Sequence, residues 1–584
     1  MSADSVPVLE CDFLIIGGGS AGCVLAHRLS SDFGVRVLLV EAGRDQPPDQ
    51  VEPDLLSSYP RAAYFDPKNT WSNLKVAITS PPHNQPQLPS RITRYEQARV
   101  IGGGSSINDM QANRGIPLDY DEWEAQGASG WSWSDVLPYF IKLERDMDFT
   151  GPLHGKDGRI PVRRIQRNVW PDFSKSVADS FAGAGYEALQ DQNAQFTDGY
   201  FPISISNAYD RRVSASTAYL DNSTRQRKNL TILTNVTVQR LVVEGHTVRG
   251  AEANTAAGPV RISARETIVS AGAIHSPALL MRAGIGPGGD LQKIGVSVMA
   301  DRSGVGRNLN EHPALSLSGW IKPFARLPNS LTRHIHVALR YSSGVQDCGP
   351  SDMYMFGLSK SGWHPVGKQL GSLVAFVNKS YSRGRVTLST SDPAAEPDVN
   401  FDMLSDYRDL ERLKLAVRFA GRLFETPQMQ AVTSDTFPSS YSERVRDLNR
   451  VTTKNKVLTS ILASCLDGPH WFRRQLLRRL VVEGPQIEHV LADDDVLEQF
   501  VRGAVHGVWH ASGTCRMGRF DDNEAVVASD GRVHGVDGLR VIDASIMPAV
   551  PRANTNIPTI MIAEKMSDAI LTQWRGQGAG KCPA

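Results

Sequence analysis

Two side chains near the end of this chain are suited to taking a proton and steadying the oxygen it leaves. His510 stands in the run Trp509-His510-Ala511-Ser512-Gly513-Thr514, and Asn554 opens Asn554-Thr555-Asn556-Ile557-Pro558. An imidazole changes charge near neutral pH, and a carboxamide both donates and accepts hydrogen bonds. By itself His510 is one histidine of 14 and singles out no chemistry. The pair becomes a site only if the rest of the chain builds a place for a reactive group beside it.

The N-terminal segment builds such a place. Residues 11–16 form a short apolar run, the type of a buried parallel strand. It breaks at Gly17-Gly18-Gly19-Ser20-Ala21-Gly22, and residues 23–29 resume with small and apolar side chains suited to a helix on a sheet. Gly17, Gly19 and Gly22 satisfy G-x-G-x-x-G between strand and helix. That turn must be tight, and a pyrophosphate must approach the N–H groups of a helix N-terminus. A second apolar strand at 35–40 ends in Glu41, 19 residues after Gly22, where an acid can hydrogen-bond ribose hydroxyls. A chance glycine turn would lack both strands and the acid. The unit reads as a dinucleotide site, and Glu41 argues against the phosphorylated ribose of NADP. The motif does not choose between FAD and NAD.

Residues 46–97 are irregular and proline-rich, with Trp71, Pro81, Pro82, Pro86 and Pro89. This is the composition of a long excursion that wraps a cofactor or covers a site. It leads to Ala98-Arg99-Val100-Ile101-Gly102-Gly103-Gly104-Ser105-Ser106-Ile107-Asn108, then Asn113-Arg114-Gly115. Successive glycines let backbone approach a flat ligand, and serines offer hydroxyls to its polar edge. Gly/Ser runs usually mark flexible linkers, but the apolar flanks and Asn108 argue against one here.

This segment resembles the first signature of the glucose-methanol-choline (GMC) oxidoreductases, FAD-dependent oxidases and dehydrogenases of alcohols. The resemblance continues in order along the whole chain. Residues 272–286 resemble the second signature, closing in Ala283-Gly284-Ile285-Gly286 where Ser-Gly-Ile-Gly is usual. A family-like turn follows at 304–312, with Glu311 where Asp is common. Asp543-Ala544-Ser545-Ile546-Met547-Pro548 and Ala553-Asn554-Thr555-Asn556 complete the pattern. Among the branches, this wording most resembles the bacterial 5-hydroxymethylfurfural oxidases, from which Cys515 and Met517 depart.

The resemblance implies a Rossmann-like FAD-binding domain, of α/β class, interleaved with an α+β substrate domain built on an antiparallel sheet, as in p-hydroxybenzoate-hydroxylase-like architectures. It implies FAD contacts from Gly17, Gly19, Ser20, Ala21, Gly22, Glu41 and Ala42, then from Val100, Gly103, Gly104, Ser105 and Asn108. Val236 would meet the adenine, and Trp509, Asp543, Ala544 and Thr555 would complete the cofactor site. Some members tether FAD through a histidine beside the asparagine; Ile107 stands there, so FAD is expected to be non-covalent. His510 is the expected base, taking the hydroxyl proton as hydride leaves the alcohol for flavin N5, and Asn554 the group that positions the alkoxide. The expected partners are a small-molecule alcohol and an acceptor, either O2 or a quinone type. Hydroxynitrile lyases share the fold and form the reading from another class. His275 and His312 are expected to be structural.

The implied order of segments is FAD-binding at 1–155, substrate at 156–225, FAD-binding at 226–315, substrate at 316–500 and FAD-binding at 501–584. Alternating residues 385–390 suggest a strand and 406–424 an amphipathic helix. Val377 and its neighbours are candidates for the substrate pocket. The aromatic residues of 120–144 read as core, and the basic helix at 471–482 as a solvated or subunit-facing one. Lys+Arg 63 against Asp+Glu 62 leaves no field to recruit nucleic acid or an anionic membrane. Six scattered cysteines without a C-x-x-C pair argue against structural zinc or a disulfide framework, and no metal is expected. With no signal-like start and no apolar run of membrane length, the expected location is cytoplasmic.

Overall fold

The computed structural model describes residues 6–79 and 90–578; Pro81, Pro82, Pro86, Pro89 and Cys582 lie outside them. Two seven-stranded sheets organise the chain. In the first, strands Leu230–Leu233, Val37–Val40, Val8–Ile16 and Gly258–Val269 run parallel, with Leu539–Val541 beside Gly258–Val269. Strands Thr247–Thr255 and Thr237–Glu244 extend that sheet antiparallel. Residues 11–16 and 37–40 are buried throughout, which is why they are apolar without alternation: both faces of the sheet are covered.

Helix Ser20–Leu29 packs against the long final helix Asn556–Gly578. Arg28 holds the fully buried Glu564 at 2.7 Å, and Ser20 Oγ donates to Asn556 Oδ1 at 2.7 Å. Those contacts lock the first turn of the chain to its last helix. They carry Asn554, just ahead of that helix, to the glycine turn.

The second sheet runs Thr433–Ser439, Pro313–Ile321, Leu370–Val377, Met353–Leu358, Ile335–Tyr341, Gly199–Pro202, with every pair antiparallel. Helix Tyr407–Phe424 covers it, capped by Asp406, whose side chain accepts from the Arg408 N–H. Leu410, Leu413, Val417 and Phe424 on its inner side are buried, as the sequence periodicity predicts, each contributing about 1.5–3 kcal/mol. The strand expected at 385–390 is Arg385–Thr387. The two short strands Arg385–Thr387 and Asp398–Asn400 join Lys75–Ala77 and Ile92–Arg94 in a separate four-stranded sheet.

Tyr120, Trp123, Trp131 and Phe140 are core, as expected, whereas Trp133 and Tyr139 are half-buried against it. The basic helix is His470–Leu476, continued by a π turn Leu477–Val481, with Leu477 buried and Trp471 exposed. Among the described residues no helix is long and apolar enough to cross a membrane.

Candidate active site

A cavity of about 530 Å³ lies between the two sheets, within the size range of small-molecule and cofactor sites. Its wall begins at the glycine turn. Gly19 caps helix Ser20–Leu29 without any side-chain bond to the first-turn N–H groups, which leaves them for an anion. A Cβ on Gly22 would stand 1.9 Å from the Gly17 carbonyl oxygen, so only glycine lets the helix start against the turn. A Cβ on Gly103 would stand 2.7 Å from Gly19 Cα. The two glycine segments, far apart in sequence, therefore touch along their backbones. Beside them, Glu41 accepts from the Gly18 and Gly43 N–H groups, each at 2.7 Å. Burial raises the Glu41 pKa and these two donors oppose the rise.

Fourteen of the expected cofactor residues line this one cavity: Gly17, Gly19, Ser20, Ala21, Glu41 and Ala42; Gly103, Gly104 and Asn108; Val236; and Trp509, Asp543, Ala544 and Thr555. Gly22, Val100 and Ser105 stand behind the wall instead. Gly22 serves helix packing, Val100 is buried in a small apolar cluster, and Ser105 donates to the Gly102 carbonyl and accepts from the Ala215 N–H. Of the excursion at 46–97, the described residues Tyr64, Trp71, Glu96 and Gln97 line the site. The Trp71 ring lies tilted against that of His275, 4.5 Å between centroids, and His275 also lies 3.1 Å from Glu396.

His510 and Asn554 line the same cavity and meet there, with Asn554 Nδ2 3.0 Å from His510 Nε2. Several local features hold His510. Strand His506–Gly507 pairs with Pro313 and Ala314 on one side, and Ser512 bridges to Asn310 on the other. Between them Trp509 turns the chain with a left-handed φ of 63°, a conformation a non-glycine residue adopts only when its surroundings impose it. Glu311 supplies that constraint. It accepts from the His510 N–H at 2.9 Å, the His312 N–H at 2.9 Å and the Tyr95 hydroxyl at 2.7 Å. Burial pushes its carboxyl up to about 7 in spite of those donors. The Asn554 N–H donates to Asn113 Oδ1 at 2.9 Å, tying it to the segment after the glycine-serine run.

The sequence reading sets His312 aside as structural; the structure brings its Nδ1 within 2.8 Å of His510 Nδ1. Burial lowers both imidazoles, His510 to about 3 and His312 well below its usual value, so both are neutral. One proton must lie between the two Nδ1 atoms. Because Asn554 Nδ2 donates to His510 Nε2, that nitrogen is bare and the His510 proton sits on Nδ1, directed at His312. The result is a neutral base with its lone pair toward the cavity. Val377 faces away from it, while Phe376 and Val374, on the other side of the same pleat, line it.

The chain belongs to the GMC oxidoreductase family, which it matches over residues 11–314 and 380–563. It is an FAD-dependent oxidoreductase acting on CH–OH donors. Over 96% of its length it is 42% identical to 99% of the 5-(hydroxymethyl)furfural oxidase of Methylovorus sp. (strain MP688). It is 31% identical to the glucose dehydrogenase [FAD, quinone] of Drosophila pseudoobscura pseudoobscura, covering 98% of this chain and 88% of that one. The crystal structure of pyridoxine 4-oxidase from Mesorbium loti superposes with a TM-score of 0.77 at 27% identity, covering 96% of this chain and 99% of that one.

The cavity fits the family's cofactor. It runs from an uncapped helix N-terminus, past an acid at the ribose position, to glycine backbone opposite the His510–Asn554 pair. Beside that pair, Trp509 Nε1 and Asn554 Oδ1 are buried without a hydrogen-bond partner among the described residues.

Proposed function

We propose that the protein is an oxidase of primary alcohols of aromatic or furanic type, yielding the aldehyde and H2O2, with FAD held non-covalently. The observation that carries this reading is the bare His510 Nε2 beside the Asn554 amide at the cavity's inner end. Bound FAD would supply the hydride acceptor, and O2 would take up the electron pair. An alcohol hydroxyl that displaces the Asn554 amide from His510 Nε2 gives its proton to the imidazole and accepts a hydrogen bond from that amide as negative charge develops. The aldehyde's hydrate presents a hydroxyl to the same pair, so further oxidation to the acid uses no new group. The furfural oxidase relative and the aromatic lining at Phe376 support the substrate class. Ile107, lining the cavity beside Asn108, offers no nucleophile for a covalent link.

A second reading, transfer of electrons to a quinone, is favoured by the relative named a quinone-dependent glucose dehydrogenase. The deciding experiment is an anaerobic alcohol panel read by flavin bleaching, followed by admission of air or of a quinone. Bleaching by benzylic or furanic alcohols and rapid H2O2 formation in air are the expected results. Bleaching reversed only by quinone selects the second reading, and no bleaching by any alcohol defeats both. Acid precipitation should release the yellow chromophore; flavin remaining on the precipitate would refute non-covalent binding.

A further inference from the structure

Beyond His510 the cavity continues along the antiparallel sheet, and its far wall carries groups that the His510–Asn554 pair does not use. Ser316, Ser318, Ser361, Ser372 and Ser439 all line it. Antiparallel register sets Ser318 opposite Ser372 and Ser316 opposite Ser439. Their hydroxyls form a continuous row. Ser361 and Ser372 lie 2.9 Å apart, Ser372 and Ser318 2.7 Å, Ser318 and Ser439 2.8 Å, and Ser439 and Ser316 3.1 Å.

The row stands at a definite distance from the chemistry. Phe376, on the strand that carries Ser372, has its ring 6.3 Å from the His510 ring. At about 3.3 Å per residue, the level of Ser316 is roughly 7 Å along the strand from Phe376 and that of Ser372 roughly 13 Å.

Counting donors fixes what the row can bind. Ser361 donates to the Leu370 carbonyl at 2.9 Å and Ser439 to the Ser316 carbonyl at 3.0 Å, which leaves the three protons of Ser316, Ser318 and Ser372 for the four contacts between hydroxyls. A hydroxyl donates once and accepts twice, so the satisfied row keeps acceptor capacity and has no O–H to spare. Asn449 is only 3% exposed and lines the same cavity. Its Nδ2 donates to the Val445 carbonyl at 2.9 Å, while its Oδ1 has no partner among the described residues. Asn449 adjoins the Ser361 end of the row, since the Trp363 indole donates to its carbonyl at 2.8 Å. Glu483 adds a negative charge to the lining, accepting from Ser440 at 2.9 Å.

We propose that the serine row forms a distal subsite for an uncharged hydrogen-bond donor. The preferred substrate is then an elongated alcohol bearing a second hydroxyl that reaches the level of the row, about 7–13 Å along the strand from Phe376, and a carboxylate at that end is rejected. The inference rests on the alcohol-oxidising reading and narrows its substrate class.

The test uses the holoenzyme and two sets of alcohols, para-substituted benzyl alcohols and 4'-substituted biphenyl-4-methanols. Each set carries hydroxymethyl, methyl or carboxylate at the far end. In at least one set kcat/KM should fall about tenfold from hydroxymethyl to methyl, beyond the factor of about two for a diol's two ends, and further to carboxylate. In the double variant Ser318→Ala/Ser372→Ala the hydroxymethyl-to-methyl ratio should collapse toward that factor of two. Should the double variant fail to retain FAD, Ser372→Ala alone should lower the ratio by a smaller factor. Binding is read separately in the His510→Ala holoenzyme, from perturbation of flavin absorbance, and should follow the same order. A methyl or carboxylate preference in both sets, or an unchanged ratio in the variant, overturns the proposal. If no alcohol reduces the flavin, the oxidase reading fails, while the binding order still decides the subsite.

Discussion

His510 is 7% exposed and His154 9%, yet their surroundings drive their protons in opposite directions. Around His510 the nearest partners are neutral, an amide and a second imidazole, and burial alone takes its pKa down to about 3. Burial would lower His154 too, but Asp146, Asp191 and Glu144 lie 3.0–3.3 Å from its ring nitrogens and push it up to about 11. Arg164 bonds both Asp146 and Asp191, and Arg114 sits 2.5 Å from Glu144. Three carboxylates thus meet three cations. By spacing alone Glu144, Asp146 and His154 could gather a metal ion. An imidazole that keeps its proton cannot ligate, however, and the arginines already neutralise the acids. The contrast teaches that burial alone leaves a histidine neutral, and that buried carboxylates beside it reverse the outcome. One arrangement yields an unprotonated base, the other a clamp.

The largest effect should come from removing the base. His510→Ala should leave FAD bound and slow anaerobic flavin reduction by alcohol about 10³–10⁴-fold in stopped flow. A near-normal rate would make His510 a buried bystander and erase the contrast from its catalytic side.

His154→Leu tests the other side. It leaves Asp146 and Asp191 short of one cation in a buried place, which should destabilise the fold by about 3–5 kcal/mol in denaturant titration. The pH dependence follows in sign. The folded pKa of about 11 lies above the ordinary 6.5, so the stabilisation is complete below 6.5 and is lost as pH rises toward 11. The gap between wild type and variant should therefore narrow across that alkaline window. His510 behaves oppositely: its folded pKa of about 3 means stability is kept above 6.5 and lost as pH falls toward 3. A gap that widens with pH would show that His154 is not the charged partner described here.

Asn554→Asp attempts to convert one environment into the other. A carboxylate beside His510 Nε2 should raise the imidazole's pKa, as the acids do for His154, and hold the base protonated. Flavin reduction at neutral pH should fall about a hundredfold, from the loss of both the free lone pair and the amide donor. The rate should then recover partly on raising the pH, which Asn554→Ala would not show. An equal, pH-independent loss in both variants would mean that Asn554 acts only through its shape.

These two regions also differ in how far the sequence foretells them. The glycine turn, residues 98–108 and the His510–Asn554 pair lie in local motifs whose residue types match their tasks, and they meet in one cavity. His154 lies in a short glycine turn with no motif, and its partners come from residues 114–191, brought together only by packing. The serine row is hidden for a related reason. Ser318, Ser372 and Ser439 belong to three strands whose register is set by long-range pairing, and one residue's shift would turn each hydroxyl to the other face. The same pleat explains why Val377 points away from the site while Phe376 enters it.

His312 stands between the two cases: its position next to an acid is visible in the sequence, its contact with His510 is not. If His312 Nδ1 accepts the His510 Nδ1 proton, it holds the base in the tautomer whose Nε2 is bare. His312→Leu should then lower kcat for alcohol about tenfold with a smaller change in KM, because the His510 proton is left buried without an acceptor and the other tautomer becomes accessible. His312→Gln offers a carbonyl oxygen near the same place and should recover most of the loss. Leu and Gln variants with equal rates would show that His312 fills space against Phe376, whose ring stacks on it at 5.4 Å, and leaves the choice of tautomer to Asn554.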